Sequence, residues 1–337
     1  MNDNYFEYKD NFIQYSDIKS KMILGNPNRK NRLFTIAIPT YKRPELLENA
    51  LISALNQVET DDCEIVIVDN DCRSSATEKI VEKNLNENVY YFKNEKNIGL
   101  FGNWNRCIEL AKGEYITILN DDDWLSENYL MNCMKYLKPE VDGLYFPSND
   151  VDLRHNNTKD TKDRKKKYLI LKLILKKIIK IISKKSNKMK LFDFFLGNRS
   201  SGTLGVLMKT SNLKKLGGYN PDYFPSSDYV LHANYCYNYN VYFINEKLNY
   251  YRIAVNESAK QETMQKWEHL DVRIRDYFIE IIGKRRKLLE YMNSLIQENR
   301  IEGMEKIWNY ETQFQKKHYF MRAVFNQLVS IKYQLNI

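Results

Sequence analysis

The chain has 337 residues, 43% of them hydrophobic, which suits a folded α/β protein with an appended region and excludes wholesale disorder. Five scattered cysteines, Cys63, Cys72, Cys107, Cys133 and Cys236, form no CxxC pair, so reduced thiols are expected and a zinc centre is not. The net charge of +9 is local: residues 162–190 hold thirteen Lys or Arg against Asp163 alone, leaving the remainder slightly acidic, which argues against a nucleic-acid groove.

The first thirty residues are polar and aromatic and lack the apolar run of a secretory signal, so a cytoplasmic location is expected. No eighteen-residue apolar stretch is present to span a bilayer. Residues 33–38 form a short apolar run ended by Pro39, read as a buried parallel strand. Pro44 opens a helix, with Leu46, Leu47, Ala50, Leu51, Ala54 and Leu55 at helical spacing. A second strand, Glu64 to Val68, ends in Asp69-Asn70-Asp71, and a third, Val89 to Phe92, ends near Asn94. A helix is predicted from about Trp104 to Ala111, stopped by Gly113. The fourth strand, Tyr115 to Leu119, runs into Asn120-Asp121-Asp122-Asp123.

This alternation predicts a mainly parallel, doubly wound sheet, in which ligands bind beyond the carboxyl ends of the strands. Thr40 and Arg43, Asp69, and Asp121–Asp123 all fall at such ends. Further on, strands are predicted near Tyr145, at Gly202 to Met208 and at Val241 to Ile244. Helices are predicted at 191–196, from Asp228, and from Ser258 to the end.

Three adjacent carboxylates repel one another and raise each other's pKa unless a cation sits among them. A hard divalent ion, Mn²⁺ or Mg²⁺, suits oxygen ligands and keeps phosphate oxygens in its shell. A solvated acidic turn is the alternative, and the buried strand before the cluster favours the metal.

Phe34-Thr-Ile-Ala-Ile-Pro-Thr-Tyr-Lys-Arg43, Ile65-Val-Ile-Val-Asp-Asn70, Asn97-Ile-Gly-Leu100 and Gly113-Glu-Tyr-Ile-Thr-Ile-Leu-Asn-Asp-Asp-Asp-Trp-Leu125 resemble, in order and spacing, the family 2 glycosyltransferases of the GT-A fold. The resemblance implies sugar transfer from a nucleotide diphosphate donor, with inversion, to a glycan hydroxyl in cell-surface polysaccharide synthesis. It implies that Pro39, Thr40, Tyr41 and Arg43 line the nucleotide pocket. Asp69 would accept from the base N3–H, which favours UDP or dTDP, and Asn97 and Gly99 would approach the nucleotide. The family's D-x-D aligns with Asn120-Asp121-Asp122, so Asp122 is the expected metal ligand, with Asp121 or Asp123 assisting at the metal, ribose or sugar. Gly202 to Met208, Leu216 to Tyr219 and Ser227-Asp228-Tyr229 resemble the acceptor half, which makes Asp228 the expected general base, with helix capping as its alternative role. The family's Tyr-Arg-x-His reads Tyr251-Arg252-Ile253-Ala254 here, so no histidine ligand is available at Ala254.

Four segments are expected. They are an extension (1–30), a nucleotide-sugar-binding half (31–140), an acceptor-binding half (141–257) with a basic insertion (160–190), and a helical C-terminal region (258–337). On a wheel of ~100° per residue, Lys172, Lys176, Lys177, Lys180 and Lys184 fall within about 140° of arc opposite most of the isoleucines. This predicts a cationic amphipathic helix at an anionic membrane surface, hence a peripheral location on the inner face of the cell membrane and a lipid-linked glycan acceptor. A solvated surface helix is the alternative. Two other readings stay open for the whole chain: a nucleotidyltransferase, and a membrane-surface nucleotide-binding protein with degraded activity.

Overall fold

The structure, a computed structural model, describes residues 4–58, 62–154, 187–199, 202–254, 260–308, 310–312, 314 and 316–335. The predicted basic amphipathic helix lies outside these residues. The described chain divides into two units.

The larger unit comprises Phe6–Val151 and Arg199–Arg252. Its main sheet contains β1 (Ser20–Leu24), β2 (Arg32–Thr40), β3 (Cys63–Asp69), β4 (Val89–Asn94), β5 (Gly113–Ile118), β7 (Gly143–Tyr145), β9 (Val206–Lys209) and β10 (Val241–Phe243). The spatial order is β1-β4-β3-β2-β5-β9-β7-β10. The four central strands β4, β3, β2 and β5 are parallel, whereas β9 runs antiparallel to both β5 and β7. A smaller sheet joins β6 (Trp124–Leu125), β11 (Asn249–Ile253) and β8 (Ser148–Asp152).

The doubly wound expectation therefore holds, and its cause is visible strand by strand. β3 is buried along its whole length and β2 from Phe34 to Thr40, as central strands covered on both faces must be. Helices α1 (Pro44–Leu55), α2 (Ala76–Lys83) and α3 (Gly99–Leu110) cross between successive strands, followed by α4 (Tyr129–Tyr136). Leu47, Ala50, Leu51 and Ala54 of α1 pack with Phe34, Ile36, Ile38, Ile65 and Ile67 in one core.

Two boundaries differ from the sequence reading. Pro39 does not end β2; it and Thr40 stay in register with Val68 and Asp69. Proline supplies no N–H to be paired, and the carbonyls on either side still accept, Ala37 from Leu119 N and Thr40 from Asn70 N, both at 2.9 Å. Helix α3 starts five residues earlier than predicted. Asn70 Oδ1 accepts from Ile98 N at 3.0 Å and Asn97 Oδ1 from Gly99 N at 2.8 Å, so the first N–H groups are satisfied by side chains. Gly99 has φ +75°, which favours glycine at that entry.

The second unit contains α5 (Leu191–Phe195) and the long helices α8 (Gln261–Ile282), α9 (Arg286–Trp308) and α10 (Tyr319–Leu335). Between α5 and the larger helices in sequence lie α6 (Thr210–Lys215) and α7 (Ser227–Asn238) of the first unit. The helical C-terminal region is thus present. Its interior is polar in part: buried Arg275 donates to Asn293 Oδ1 at 2.6 Å and to Gln297 Oε1 at 2.7 Å. No described helix is long and apolar enough to cross a membrane.

Candidate active site

The register of β2, β3 and β5 brings their carboxyl ends side by side. Thr40 lies opposite Asp69, and Ala37 opposite Ile118. The chain leaving β5 therefore runs past Thr40, whose Oγ1 donates to Asp121 Oδ2 at 2.8 Å. Arg43, just after β2, reaches the same turn. One guanidinium N–H group donates to Asp121 Oδ1 and another to Asp122 Oδ2, the latter at 2.9 Å. Thr40, Arg43, Asp121 and Asp122 are thus brought together as the sequence suggested.

The three aspartates are not equivalent. Asp121 is enclosed, and burial pushes its carboxyl up to about 6 against the opposing pull of Arg43. Asp123 is also buried, and burial followed by the charge of Asp122 raises it well above the usual carboxylate range. It points the other way: its Oδ1 accepts from Arg252 N at 3.0 Å and its Oδ2 from Asn120 Nδ2 at 3.4 Å. Asp122 is the one with solvent access, its side chain 12% exposed against 0% for Asp121. Among the described residues no three His, Cys, Asp or Glu side chains converge as a metal site. Were an ion to sit at this turn, Asp122 would be the carboxylate open to it, and the rest of its shell would come from ligand oxygens, as with the one or two carboxylates plus phosphates that Mg²⁺ commonly uses.

Asp69 is fully buried at the end of β3. Its Oδ2 accepts from Tyr91 Oη at 2.7 Å and its Oδ1 from Asp71 N at 2.8 Å, and burial raises its pKa. Tyr91, which carries no sequence signal beyond its strand, is the support that sequence reasoning missed. Asn70 ties the neighbouring loop together, donating to Asn97 Oδ1 at 2.8 Å and to the Gly99 carbonyl at 3.1 Å. Tyr41 is exposed at the rim with the Lys42 Nζ 5.1 Å from its ring centre, and Lys42 adopts φ +58°. Pro39 lies within β2 beneath them.

Asp228 occupies the first turn of α7. The cap position is Ser226, so Asp228 is not the helix cap. An anion there is favoured by the helix N-terminus. One turn on, His232 is fully buried, accepts or donates a hydrogen bond with Tyr219 Oη at 3.2 Å, and is pushed by burial down to about 3, hence neutral. The His232 spacing of four from Asp228 was readable in the sequence; its partner Tyr219 was not.

The fold, with its three strand ends meeting at one edge, is an α/β domain of the GT-A type. Comparison with known proteins agrees. The described structure resembles the Staphylococcus aureus TarS 1–349 in complex with UDP-GlcNAc (TM-score 0.55, 14% identity, 90% of this chain and 80% of that one). It also resembles the mannosyltransferase PcManGT of Pyrobaculum calidifontis in complex with GDP-Man and Mn²⁺ (TM-score 0.51, 14% identity, 93% and 89%). In sequence, 105 residues are 36% identical to the GalNAc(5)-diNAcBac-PP-undecaprenol beta-1,3-glucosyltransferase of Campylobacter jejuni, covering 30% of this chain and 33% of that protein. The chain spans half or less of the length of the curated relatives it matches most strongly. Residues 35–201 match Glycosyl transferase family 2, and through them the chain belongs to that family.

Proposed function

We propose that the chain transfers a sugar from a nucleotide diphosphate donor to a hydroxyl of a glycan acceptor, with inversion. The observation that carries this reading is the alignment of Thr40 and Arg43, Asp69, and Asp121–Asp123 at three adjacent strand ends. Pro39, Thr40, Tyr41, Asn97 and Gly99 frame the nucleoside. The base N3–H donates to Asp69, which accepts from the Asp71 amide, Tyr91 and Thr77 and retains a lone pair for a further donor. This favours uracil or thymine, as does the UDP-GlcNAc complex of TarS.

Asp122 would hold a divalent cation, Mn²⁺ or Mg²⁺, when the donor is bound; PcManGT is in complex with GDP-Man and Mn²⁺. Such an ion would supply positive charge to the departing diphosphate. Asp121 and Asp123, fixed by Thr40, Arg43, Asn120 and the Arg252 amide, shape the turn that presents Asp122. Asp228 takes the proton of the acceptor hydroxyl. The oxygen bonds to C1 as the C1–O bond to the diphosphate breaks, releasing nucleoside diphosphate.

The acceptor is a lipid-linked glycan, as in the C. jejuni relative's name. The basic run at 162–190 would hold the protein peripherally on the anionic inner face of the membrane. The test is a thermal-shift screen of UDP-, dTDP- and GDP-sugars with Mn²⁺. At least one uridine or thymidine donor is expected to raise the melting temperature, and the shift is expected to vanish in Asp122→Asn. A flat response to the whole panel overturns the proposal.

A further inference from the structure

Among the described residues of the larger unit, three polar side chains are buried with no hydrogen-bond partner, and none of them belongs to the site as assigned above. They are Trp104 Nε1 on α3, Thr203 Oγ1 before β9, and Ser227 Oγ beside Asp228. Trp104 is 5% exposed, Thr203 and Ser227 1% each. A buried donor without a partner costs about 1–3 kcal/mol, so native proteins rarely leave several in one region.

Trp104 and the loop holding Thr203 meet at the catalytic turn. A methyl group built on Gly202 would lie 4.0 Å from Asn120 Nδ2 and 4.0 Å from the Trp104 ring. Gly202 itself has φ +65°, which lets the loop approach without a side chain. The indole is fixed edge-to-face against Phe101 and Tyr219, with ring centres 5.2 and 5.1 Å away. Tyr219 in turn bonds His232 on α7, the helix that carries Asp228. The unpartnered groups thus sit on the elements running from Asn120, at the diphosphate end, toward Asp228, at the acceptor end.

We propose that Trp104 and Thr203 form the subsite for the transferred sugar ring, on the reading that this edge binds a nucleotide sugar. An indole N–H only donates, so it meets a substituent oxygen, a hydroxyl or an acyl carbonyl. The Thr203 hydroxyl both donates and accepts and suits a neighbouring sugar hydroxyl. Because the ring is clamped before the ligand arrives, this contact costs little ordering and selects among donors that differ in one oxygen substituent.

The test measures two affinities for each protein by calorimetry with Mn²⁺: for UDP alone, and for the tightest UDP-sugar from a panel of UDP-Glc, UDP-Gal, UDP-GlcNAc and UDP-GalNAc. Trp104→Phe keeps an aromatic ring and removes the N–H. It is expected to weaken the UDP-sugar by about 3- to 10-fold while leaving UDP unchanged, the loss of one net hydrogen bond. Thr203→Val is expected to do the same and to melt, without ligand, at or above the wild-type temperature. An unchanged ratio of UDP-sugar to UDP affinity in both variants overturns the proposal, as does a lower ligand-free melting temperature for Thr203→Val, which would mean the hydroxyl serves the fold. Failure of UDP to bind the wild type would instead sink the nucleotide-sugar reading itself.

Discussion

Three neighbouring aspartates end in three environments. Asp121 is sealed beneath Thr40 and Arg43, Asp123 is turned toward Arg252, and only Asp122 reaches solvent. Adjacency along the chain is no guide to this, because successive side chains at a strand end point in different directions. His232 is a second residue whose state depends on surroundings that are invisible locally. It is neutral in the folded chain because burial lowers its pKa to about 3. The unfolded chain takes up a proton near pH 6.5 while the folded one does not, so stability is lost as pH falls below that value. Each pH unit between about 6 and 4 is expected to remove up to about 1.4 kcal/mol through this group. In His232→Gln, which keeps a partner for Tyr219, denaturant titrations across that range should show a correspondingly flatter acid limb. A limb as steep as wild type would mean that other groups govern it.

At the scale of elements, β2 to β5 and the crossover helices α1 and α3 were legible in the sequence, because buried parallel strands are short apolar runs and α1 opens on Pro44, whereas α2 was not expected. What was not legible has physical causes. β1 and the small sheet of β6, β8 and β11 are short and incompletely buried, and their pairing partners are far away in sequence. The early start of α3 depends on Asn70, a residue of the preceding strand's loop, satisfying the Ile98 amide. The segment at 162–190 is known only through its composition, and its prediction rests on charge. Changing Lys172, Lys176, Lys177 and Lys180 to Gln is expected to reduce flotation with anionic liposomes by about two to three orders of magnitude in partition coefficient, at ~1 kcal/mol per lysine. Flotation equal to that of the wild type would remove the membrane surface from the account.

The molecule as a whole combines a family 2 α/β unit with a helical unit built from 187–198 and the C-terminal helices. The catalytic assignment draws on residues as far apart as Thr40 and Asp228, and all of them lie in the first unit. The parallel strand ends were visible as motifs at 39–43, 69–70 and 120–123. The far side of the site was visible only through the resemblance from Gly202 to Asp228, and Trp104 was not visible as a candidate site residue, since a buried aromatic reads as core until its polar atom is found unpartnered. The central claim is a division of labour in which Asp122 binds the donor with its ion and Asp228 performs the proton transfer. It is tested most directly by measuring donor affinity and nucleoside diphosphate release for Asp228→Asn, with the donor found by screening and a lipid-linked glycan extract as acceptor. The account predicts wild-type donor affinity with kcat lowered by about 10²- to 10⁴-fold; an undiminished kcat would contradict it.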